Sequence, residues 1–342
     1  MNSILVIQLK RVGDVIATTP ALRALRKLYP EAHITLLLEE YSAAVAPAIA
    51  AQINELWIYK RVASFNFWFN LACRRFDLSL DFTGNDRSAL ITFLSKAARK
   101  IGFSFVAQRP ARSWVYTSLI QSPVRERHTV EHYADLVRSL GDIVPDRGMC
   151  LELDSSIERS AQTLRREIGV PGRYIVIHPG SARQEKYWLP DRWAKAIEYT
   201  QRRFLLPCVV TGGPAPAELR HIAEILGELS NPSKVINLAG RIDFLLSAAI
   251  IRHSTCFVGV DTAAAHVAAA FERPELVLFG PTNPFHWRPM HAASVVVRAG
   301  YSEPLEHFEP RQKGHPMREL STETVIRGMD TLFKHVNEHD EH

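Results

Sequence analysis

Short apolar runs alternate along this chain with segments whose apolar residues have helical spacing. That alternation limits the possible folds more than any other feature of the sequence. In the first half, the apolar runs lie at residues 4–9, 34–38, 56–59 and 78–82, and helical spacing lies between them at residues 16–28, 42–51 and 65–75. Parallel strands need a crossover connection of this kind, usually a helix. The first half therefore predicts βαβ units and a parallel sheet.

A polar, turn-rich stretch at residues 141–148 precedes a second series of the same kind. Its strands and helices are predicted, in chain order, at residues 174–178, 190–203, 208–211, 217–229, 235–238, 244–252, 256–260 and 275–279, with a last helix at about 322–337. Residues 110–127 give no clear pattern. We predict an α/β protein of two doubly wound domains that face a central cleft. The domains span residues 1–155 and 156–342, and the last helix is able to pack against the first domain.

The composition is that of an ordinary soluble globular protein, and the cysteine pattern leads us to expect a cytoplasmic one. Its hydrophobic content of 46% and charged content of 23% are ordinary for such proteins. No apolar run approaches the length of a membrane span, and the first residues lack the pattern of a signal peptide. The cysteines are far apart and form no C-x-x-C pair, so we expect neither a zinc site nor a disulfide framework: Cys73, Cys150, Cys208 and Cys256.

Positive charge is concentrated in the first half of the sequence. Residues 1–150 contain 19 Lys and Arg against 13 Asp and Glu, whereas the remaining residues contain 22 against 23. A basic first half favours an anionic partner, either a phosphorylated substrate or a membrane surface. Nucleic acid is disfavoured, because the sequence has no long Lys/Arg run and no nucleic-acid-binding module.

The segment 259–270 links a predicted strand to an alanine-rich helix. Asp261 and Thr262 stand where the cap of that helix belongs, and His266 falls one turn into it. A helix that starts directly after a strand presents free N–H groups and the positive end of its dipole, which suits a phosphate group. The simpler interpretation is an ordinary capped turn of an α/β protein.

Another loop follows the first strand and reads Lys10-Arg11-Val12-Gly13-Asp14. It lacks the G-x-G-x-x-G pattern of dinucleotide-binding domains. Asp14 is either a helix cap or a carboxylate able to take a proton from a hydroxyl group. Lys10 and Arg11 beside it are either solvated or able to hold an anionic acceptor.

Two further loops follow predicted strands of the second half. Gly180, Ser181 and Ala182 follow the strand at 174–178, with Lys186 shortly after them, and Gly212 follows the strand at 208–211. Loops at the carboxyl ends of parallel strands meet at one edge of a sheet. Their convergence with residues 261–266 predicts a site for a diphosphate, with Lys186 as its point charge.

Taken together, these segments resemble glycosyltransferase family 9, the ADP-heptose:lipopolysaccharide heptosyltransferases. The resemblance covers nearly the whole chain. Its motifs, in chain order, are Val12-Gly13-Asp14, Pro20-Ala21-Leu22, Asp81-Phe82-Thr83-Gly84-Asn85, Arg87-Ser88-Ala89, His178-Pro179-Gly180, Lys186, Trp188, Asp261-Thr262, His266 and Phe279-Gly280-Pro281-Thr282. The family fold is GT-B, two Rossmann-like domains, which agrees with the two predicted halves.

The resemblance also implies roles for individual residues. Asp14 matches the proposed catalytic base, and Lys186 matches the lysine that binds the donor diphosphate. The remaining implied donor residues are Ser181, Ala182, Gly212, Asp261, Thr262, Ala263 and His266, and the implied acceptor residues are Lys10, Arg11 and Arg87. Ala263 stands where the family often has glycine.

The implied function is an inverting transfer of heptose from ADP-heptose to a lipid-linked, phosphorylated inner-core acceptor of lipopolysaccharide. No Asp-x-Asp motif stands where a metal would hold the diphosphate, so we expect neither a metal nor another cofactor. Contact with the inner face of the cytoplasmic membrane is compatible with this function. Two alternatives remain open: a GT-B nucleotide-sugar epimerase, and a non-catalytic protein that binds a sugar nucleotide or lipopolysaccharide.

Overall fold

The fold is described from a computed structural model that covers residues 1–60, 65–170 and 172–340. The chain forms two compact units, Met1–Glu152 and Leu153–His342. Each unit is a parallel sheet with helical connections between its strands.

In the first unit, the described residues form a six-stranded sheet in the order β3-β2-β1-β4-β5-β6. Its strands are β1 (Ser3–Gln8), β2 (His33–Glu39), β3 (Glu55–Tyr59), β4 (Leu78–Asp81), β5 (Arg99–Phe103) and β6 (Ser118–Ile120). All pairs are parallel, and the central strand β1 pairs in register with β2 on one side and with β4 on the other. Residues 4–7 of β1 are apolar and fully buried, as a strand covered on both faces requires.

Five α-helices accompany this sheet in the described part of the unit: α1 (Val12–Leu28), α2 (Phe65–Cys73), α3 (Asp86–Leu94), α4 (Pro110–Ser113) and α5 (Thr129–Arg138). The helix predicted at residues 42–51 is instead a series of 3₁₀ turns at Glu40–Gln52. Pro47 lies in the middle of this segment and has no N–H group for an α-helical hydrogen bond.

The second unit repeats the same arrangement, with six described strands in the order β12-β11-β10-β7-β8-β9. Its strands are β7 (Ile175–His178), β8 (Cys208–Val210), β9 (Val235–Asn237), β10 (Cys256–Val260), β11 (Glu275–Phe279) and β12 (Ser294–Arg298). Its helices are α6 (Ser155–Glu167), α7 (Pro190–Phe204), α8 (Pro216–Gly227), α9 (Phe244–Arg252), α10 (Ala263–Ala270), α11 (Pro284–Trp287) and α12 (Thr322–Asp340). The last helix, α12, packs against β11, β12 and α7 of its own unit.

Three strands had no counterpart in the sequence prediction: β5, β6 and β12. β5 begins with the charged residues Arg99 and Lys100, and only its last three residues are buried. β6 is three residues long and lies at the edge of the sheet. For β5 and β6, the few buried residues leave no alternating or continuous apolar pattern. β12 does contain an apolar run, residues 295–297, which the sequence prediction did not assign to a strand. Among the described helices, none is long and apolar enough to cross a membrane.

One carboxyl group is fully buried at the start of β11. The Glu275 side chain lies 2.7 Å from the ring nitrogen Nε2 of His291 through Oε1, and its Oε2 has no hydrogen-bond partner among the described residues. Burial raises the pKa of Glu275 from 4.5 to about 7, although the contact with His291 opposes the rise. The folded protein therefore keeps a proton here at pH values where the unfolded chain has lost it.

We predict that Glu275→Gln removes a pH-dependent loss of stability. As pH rises from about 4.5 to about 7, the unfolded chain ionises first, so wild type loses up to about 3 kcal/mol relative to the Gln variant. Urea unfolding of both proteins at pH 5 and pH 8 measures this difference. Relative to wild type, the variant should have a higher free energy of unfolding at pH 8 than at pH 5. An equal difference between the two proteins at both pH values would contradict the raised pKa of Glu275.

Candidate active site

Both sheets have a central strand from which successive connections leave in opposite directions. In the first unit this switch lies between β1 and β4, and in the second unit it lies between β7 and β10. Such a switch opens a crevice beyond the carboxyl ends of the two strands, where ligands of doubly wound proteins bind. Most of the site residues predicted from the sequence follow one of these four strands.

Asp14 lies in the first turn of α1, directly after β1. Its Oδ1 accepts a hydrogen bond of 2.6 Å from the hydroxyl group of Tyr133 on α5. The same hydroxyl accepts a hydrogen bond of 3.2 Å from Nζ of Lys10. Among the described residues, no side chain donates a hydrogen bond to the other oxygen, Oδ2, and Asp14 is half-buried. The structure thus brings Lys10 and Asp14 together through a tyrosine that the sequence analysis did not identify.

Burial sets the protonation of this group of residues. Tyr133 is buried, and burial together with the charge of Asp14 holds its pKa well above the usual range. Tyr133 is therefore a permanent hydrogen-bond donor to Asp14. Burial lowers the pKa of Lys10, while Asp14 and Asp81 oppose this change.

The other two predicted acceptor residues lie at the same edge of the first sheet. Arg11 is the exposed residue at the N-terminal cap of α1. Arg87 lies in the first turn of α3, and its Nη1 is 3.3 Å from Oε1 of Glu39, the buried last residue of β2. The Arg87 side chain is 44% exposed, so its pairing with Glu39 does not remove it from solvent.

A buried carboxylate fixes the loop that follows β4. Asp81 accepts hydrogen bonds from the backbone N–H groups of Thr83 and Gly84, and from the hydroxyl groups of Ser88 and Tyr116. Burial raises the pKa of Asp81, and these four donors oppose the rise. All four hydrogen bonds go to the carboxyl group of Asp81. They therefore fix the start of α3, the helical turn that contains Arg87.

Thr83 and Gly84 explain the shape of this loop. The Thr83 hydroxyl accepts a hydrogen bond of 2.7 Å from the backbone N–H of Leu9, which joins the ends of β4 and β1. Gly84 has a φ of +71°, a conformation that side chains disfavour, and a Cβ there would meet the ring of Phe105.

In the second unit, Lys186 and Asp261 form a buried ion pair. Nζ of Lys186 lies 2.7 Å from Oδ2 of Asp261 and donates a second bond of 2.8 Å to its backbone carbonyl. The hydroxyl group of Thr282 donates to the same Oδ2 at 2.7 Å. The two side chains are only 12% and 6% exposed. An ammonium group has three N–H bonds, so Lys186 retains one for a ligand.

Asp261 leads directly into α10. Thr262 caps this helix, because its hydroxyl accepts a hydrogen bond of 3.1 Å from the N–H of Ala264. Ala263 begins the helix and is half-buried. His266 is buried one turn further on, with its ring centre 6.0 Å from that of Trp287.

Glu218 of α8 joins the two remaining loops of the predicted donor site. Its Oε1 accepts a hydrogen bond of 2.9 Å from the N–H of Gly213, next to Gly212, and lies 3.7 Å from Nε2 of His178. A Cβ at Gly180 would collide with this carboxylate, so a larger residue there would displace the Glu218 side chain. Burial lowers the pKa of His178, although Glu218 opposes the change. No sequence motif indicated Glu218, which lies in an ordinary first helical turn.

Ser181 and Ala182 follow Gly180 and differ in exposure. Ser181 is buried, and its hydroxyl accepts a hydrogen bond of 3.2 Å from the N–H of Arg183. Ala182 is exposed. An open cavity of about 610 Å³ lies beside the next part of this loop, between Tyr187 and Pro281. None of the predicted donor residues lines that cavity.

Across residues 1–60, 65–170 and 172–340, no group of three or more His, Cys, Asp or Glu side chains is arranged to hold a metal ion. The ionic contacts in the loops of this unit instead include the pair of Lys186 with Asp261 and the contact of Glu218 with His178. The four cysteines are free thiols, two of them buried in β8 and β10.

Comparison with known proteins agrees with this geometry. Residues 65–315 match the model of glycosyltransferase family 9 (heptosyltransferase). The chain therefore belongs to glycosyltransferase family 9 and is a glycosyltransferase. The family predicted from the motifs at the strand ends is confirmed.

Named relatives and solved structures cover almost the whole chain. Lipopolysaccharide heptosyltransferase 3 of Escherichia coli is 30% identical over 94% of this chain and 96% of its own length. The crystal structure of a family 9 glycosyltransferase from Veillonella parvula DSM 2008 has a TM-score of 0.80 and 25% identity, and covers 98% of this chain and 97% of the other. ADP-heptose lps heptosyltransferase II of E. coli has a TM-score of 0.78 and 19% identity, and covers 99% and 100%. The α/β, GT-B fold class is thereby confirmed.

We predict that Asp261→Asn destabilises the protein, because it leaves the buried ammonium of Lys186 without its counter-charge. The loss should be about 3–5 kcal/mol in the free energy of unfolding. Lys186→Met and the double variant complete a double-mutant cycle, measured by urea unfolding. The double variant should lose much less than the sum of the single losses. Additive losses would show that the two charges do not depend on each other.

Proposed function

We propose that this enzyme transfers heptose from ADP-heptose to a phosphorylated inner-core acceptor of lipopolysaccharide, with inversion and without a metal ion. The names of its relatives support the substrates, since one is a lipopolysaccharide heptosyltransferase and another an ADP-heptose heptosyltransferase. The observation that carries the proposal is Asp14, a half-buried carboxylate after β1 that Tyr133 holds through one of its two oxygens.

On this proposal the second unit binds the donor. Lys186 directs its remaining N–H to the diphosphate, and the first N–H groups of α10, at Thr262 and Ala263, add the positive end of a helix dipole. Ser181, Ala182, Gly212 and His266 complete the donor site. These groups neutralise the charge that develops on the leaving ADP, which is the task a metal ion has in other transferases.

Asp14 acts as the general base. Its Oδ2 takes the proton of the acceptor hydroxyl while that oxygen bonds to the anomeric carbon of the donor. The bond between the anomeric carbon and the diphosphate oxygen breaks, and its electron pair leaves with ADP. A single displacement of this kind inverts the anomeric centre. Tyr133 cannot share the role of base, because its raised pKa keeps its proton in place.

The first unit binds the acceptor on this proposal. Lys10, Arg11 and Arg87 lie at the edge of the sheet that carries Asp14, and residues 1–150 have a net charge of +6. A phosphorylated sugar is attracted to such an edge. Arg87 is already oriented by Glu39, so binding a phosphate costs less side-chain entropy than it would with a free arginine.

We predict that Asp14→Asn lowers kcat by about 10²-fold or more while the protein stays folded and binds donor as before. Tyr133→Phe keeps the carboxylate but removes its hydrogen bond, so its loss in kcat should be smaller. Steady-state kinetics with both substrates, together with thermal melting, measure these effects. If Asp14→Asn lowers the melting temperature and leaves kcat unchanged, Asp14 is a structural residue and the proposed base is wrong.

The absence of a metal requirement is checked in the same assay. Transfer should continue in EDTA. If EDTA stops transfer and magnesium restores it, the metal-free mechanism is wrong.

We predict that Lys186→Ala weakens ADP binding through the loss of a charge-assisted contact of about 1.5–3 kcal/mol. Adenosine, which has no phosphate groups, should bind almost as well as it binds wild type. Lys195, an exposed lysine of α7 paired with Asp191, provides a control variant, Lys195→Ala. Calorimetric titration of both ligands makes the comparison, and equal losses for ADP and adenosine would remove Lys186 from the diphosphate site.

A further inference from the structure

Two neighbouring helices of the first unit expose large apolar side chains. Phe65 and Phe69 of α2 are 79% and 56% exposed, and Leu90 and Phe93 of α3 are 48% and 60% exposed. We call these four residues the α2–α3 apolar surface. Single exposed apolar residues are common on proteins, but four large ones on two adjacent helices call for a partner.

These side chains are not needed for the core. The opposite face of α2 already packs inward through Leu71, with Phe67 and Trp68 half-buried against the same apolar cluster as Leu94 of α3. Phe65 and Phe69 lie one helical turn apart and stack on each other, with ring centres 6.1 Å apart. They are therefore presented outward as a pair.

An exposed hydrogen bond joins the C-terminal ends of the two helices. Nζ of Lys96, which follows α3, donates a bond of 2.6 Å to the carbonyl oxygen of Ala72 in α2. The helices also pack directly against each other. The two helices are therefore joined near their C-terminal ends.

The charge around this surface is positive. Residues 65–100 contain six Lys and Arg against three Asp. Asp81 is buried, Asp86 is paired with Arg109 and Arg112, and Asp77 accepts hydrogen bonds from the N–H groups of residues 2 and 3. Arg75, Lys96 and Arg99 remain exposed. The combination of aromatic side chains with exposed basic ones favours an anionic lipid surface.

The surface lies close to the predicted acceptor residues. Helix α3 starts just beyond the carboxyl end of β4, and Arg87 precedes Leu90 by one helical turn, so the two share one side of the helix. Helix α2 also begins at this edge, because it connects β3 to the parallel strand β4.

We propose that the α2–α3 apolar surface docks the enzyme on an anionic phospholipid membrane. Phe65, Phe69, Leu90 and Phe93 enter the boundary between headgroups and acyl chains, and Arg75, Lys96 and Arg99 contact the lipid phosphates. The benefit of docking rests on the proposed function, since a lipid-linked acceptor lies in such a membrane. The docking itself does not require that function.

Vesicle flotation tests the proposal with the full chain. Vesicles of equal parts phosphatidylethanolamine and phosphatidylglycerol are compared with vesicles of phosphatidylcholine alone. Wild type should float with the anionic vesicles, and added salt should weaken this binding. The double variant Phe65→Ser, Phe69→Ser should lower the partition coefficient at least about tenfold. Arg75→Gln with Arg99→Gln should reduce the preference for the anionic vesicles.

A matched control replaces exposed apolar residues away from this surface. Val144 and Leu205 are 86% and 83% exposed, and Val144→Ser with Leu205→Ser should bind vesicles as wild type does. Circular dichroism verifies that each variant is folded. Transfer to a delipidated, soluble acceptor should be the same in wild type and in the Phe65→Ser, Phe69→Ser variant, so docking and catalysis are measured separately.

Three results would overturn the proposal. In the first, the wild-type protein does not bind anionic vesicles. In the second, the Phe65→Ser, Phe69→Ser variant is folded and binds these vesicles as well as wild type does. In the third, sedimentation equilibrium shows that wild type is a dimer and this variant is a monomer. A second copy of the chain would then cover the α2–α3 apolar surface. Vesicle binding by a chain that transfers no heptose would contradict only the proposed function.

Discussion

The central position of one strand in each sheet is the constraint on which the candidate site depends. β1 and β7 each pair in parallel with a strand on both sides, so their backbone groups are satisfied and both their faces are covered. The chain must then leave their carboxyl ends into loops. Asp14 and the loop 179–186 lie at those ends, beyond the strand residues that are covered on both faces.

Buried carboxylates make these loops rigid. Asp81 accepts four hydrogen bonds in the first unit, and Asp261 accepts bonds from Lys186 and Thr282 in the second. Burying a charge is costly, and these donors offset the cost only in one loop geometry. Groups that must meet a ligand are consequently held before it binds, which lowers the entropy lost on binding. The residues best suited to touch a ligand are Lys186, which is paired with Asp261, and Arg87, which is paired with Glu39.

The sequence predicted the fold and the family well because both depend on local patterns. Nine of the strands, including both central ones, appear as apolar runs, and the family motifs follow those strands in order. β6 was missed because a three-residue edge strand has no period to detect. The partners of the site were also missed. Tyr133 is 119 residues from Asp14, and nothing in a single sequence indicates which buried hydroxyl will meet a given carboxylate.

The pairing of Lys186 with Asp261 bears on how a diphosphate could be recognised. A lysine already neutralised by a carboxylate attracts an anion less than a free lysine does, because the carboxylate repels the incoming charge. A ligand with one negative charge gains little from such a pair. A diphosphate is longer and carries more charge, so it can reach the third N–H of Lys186 and the N-terminus of α10 together. On the proposed function, the ion pair thus favours a nucleoside diphosphate over smaller anions, and Asp261 contributes to selectivity without touching the ligand.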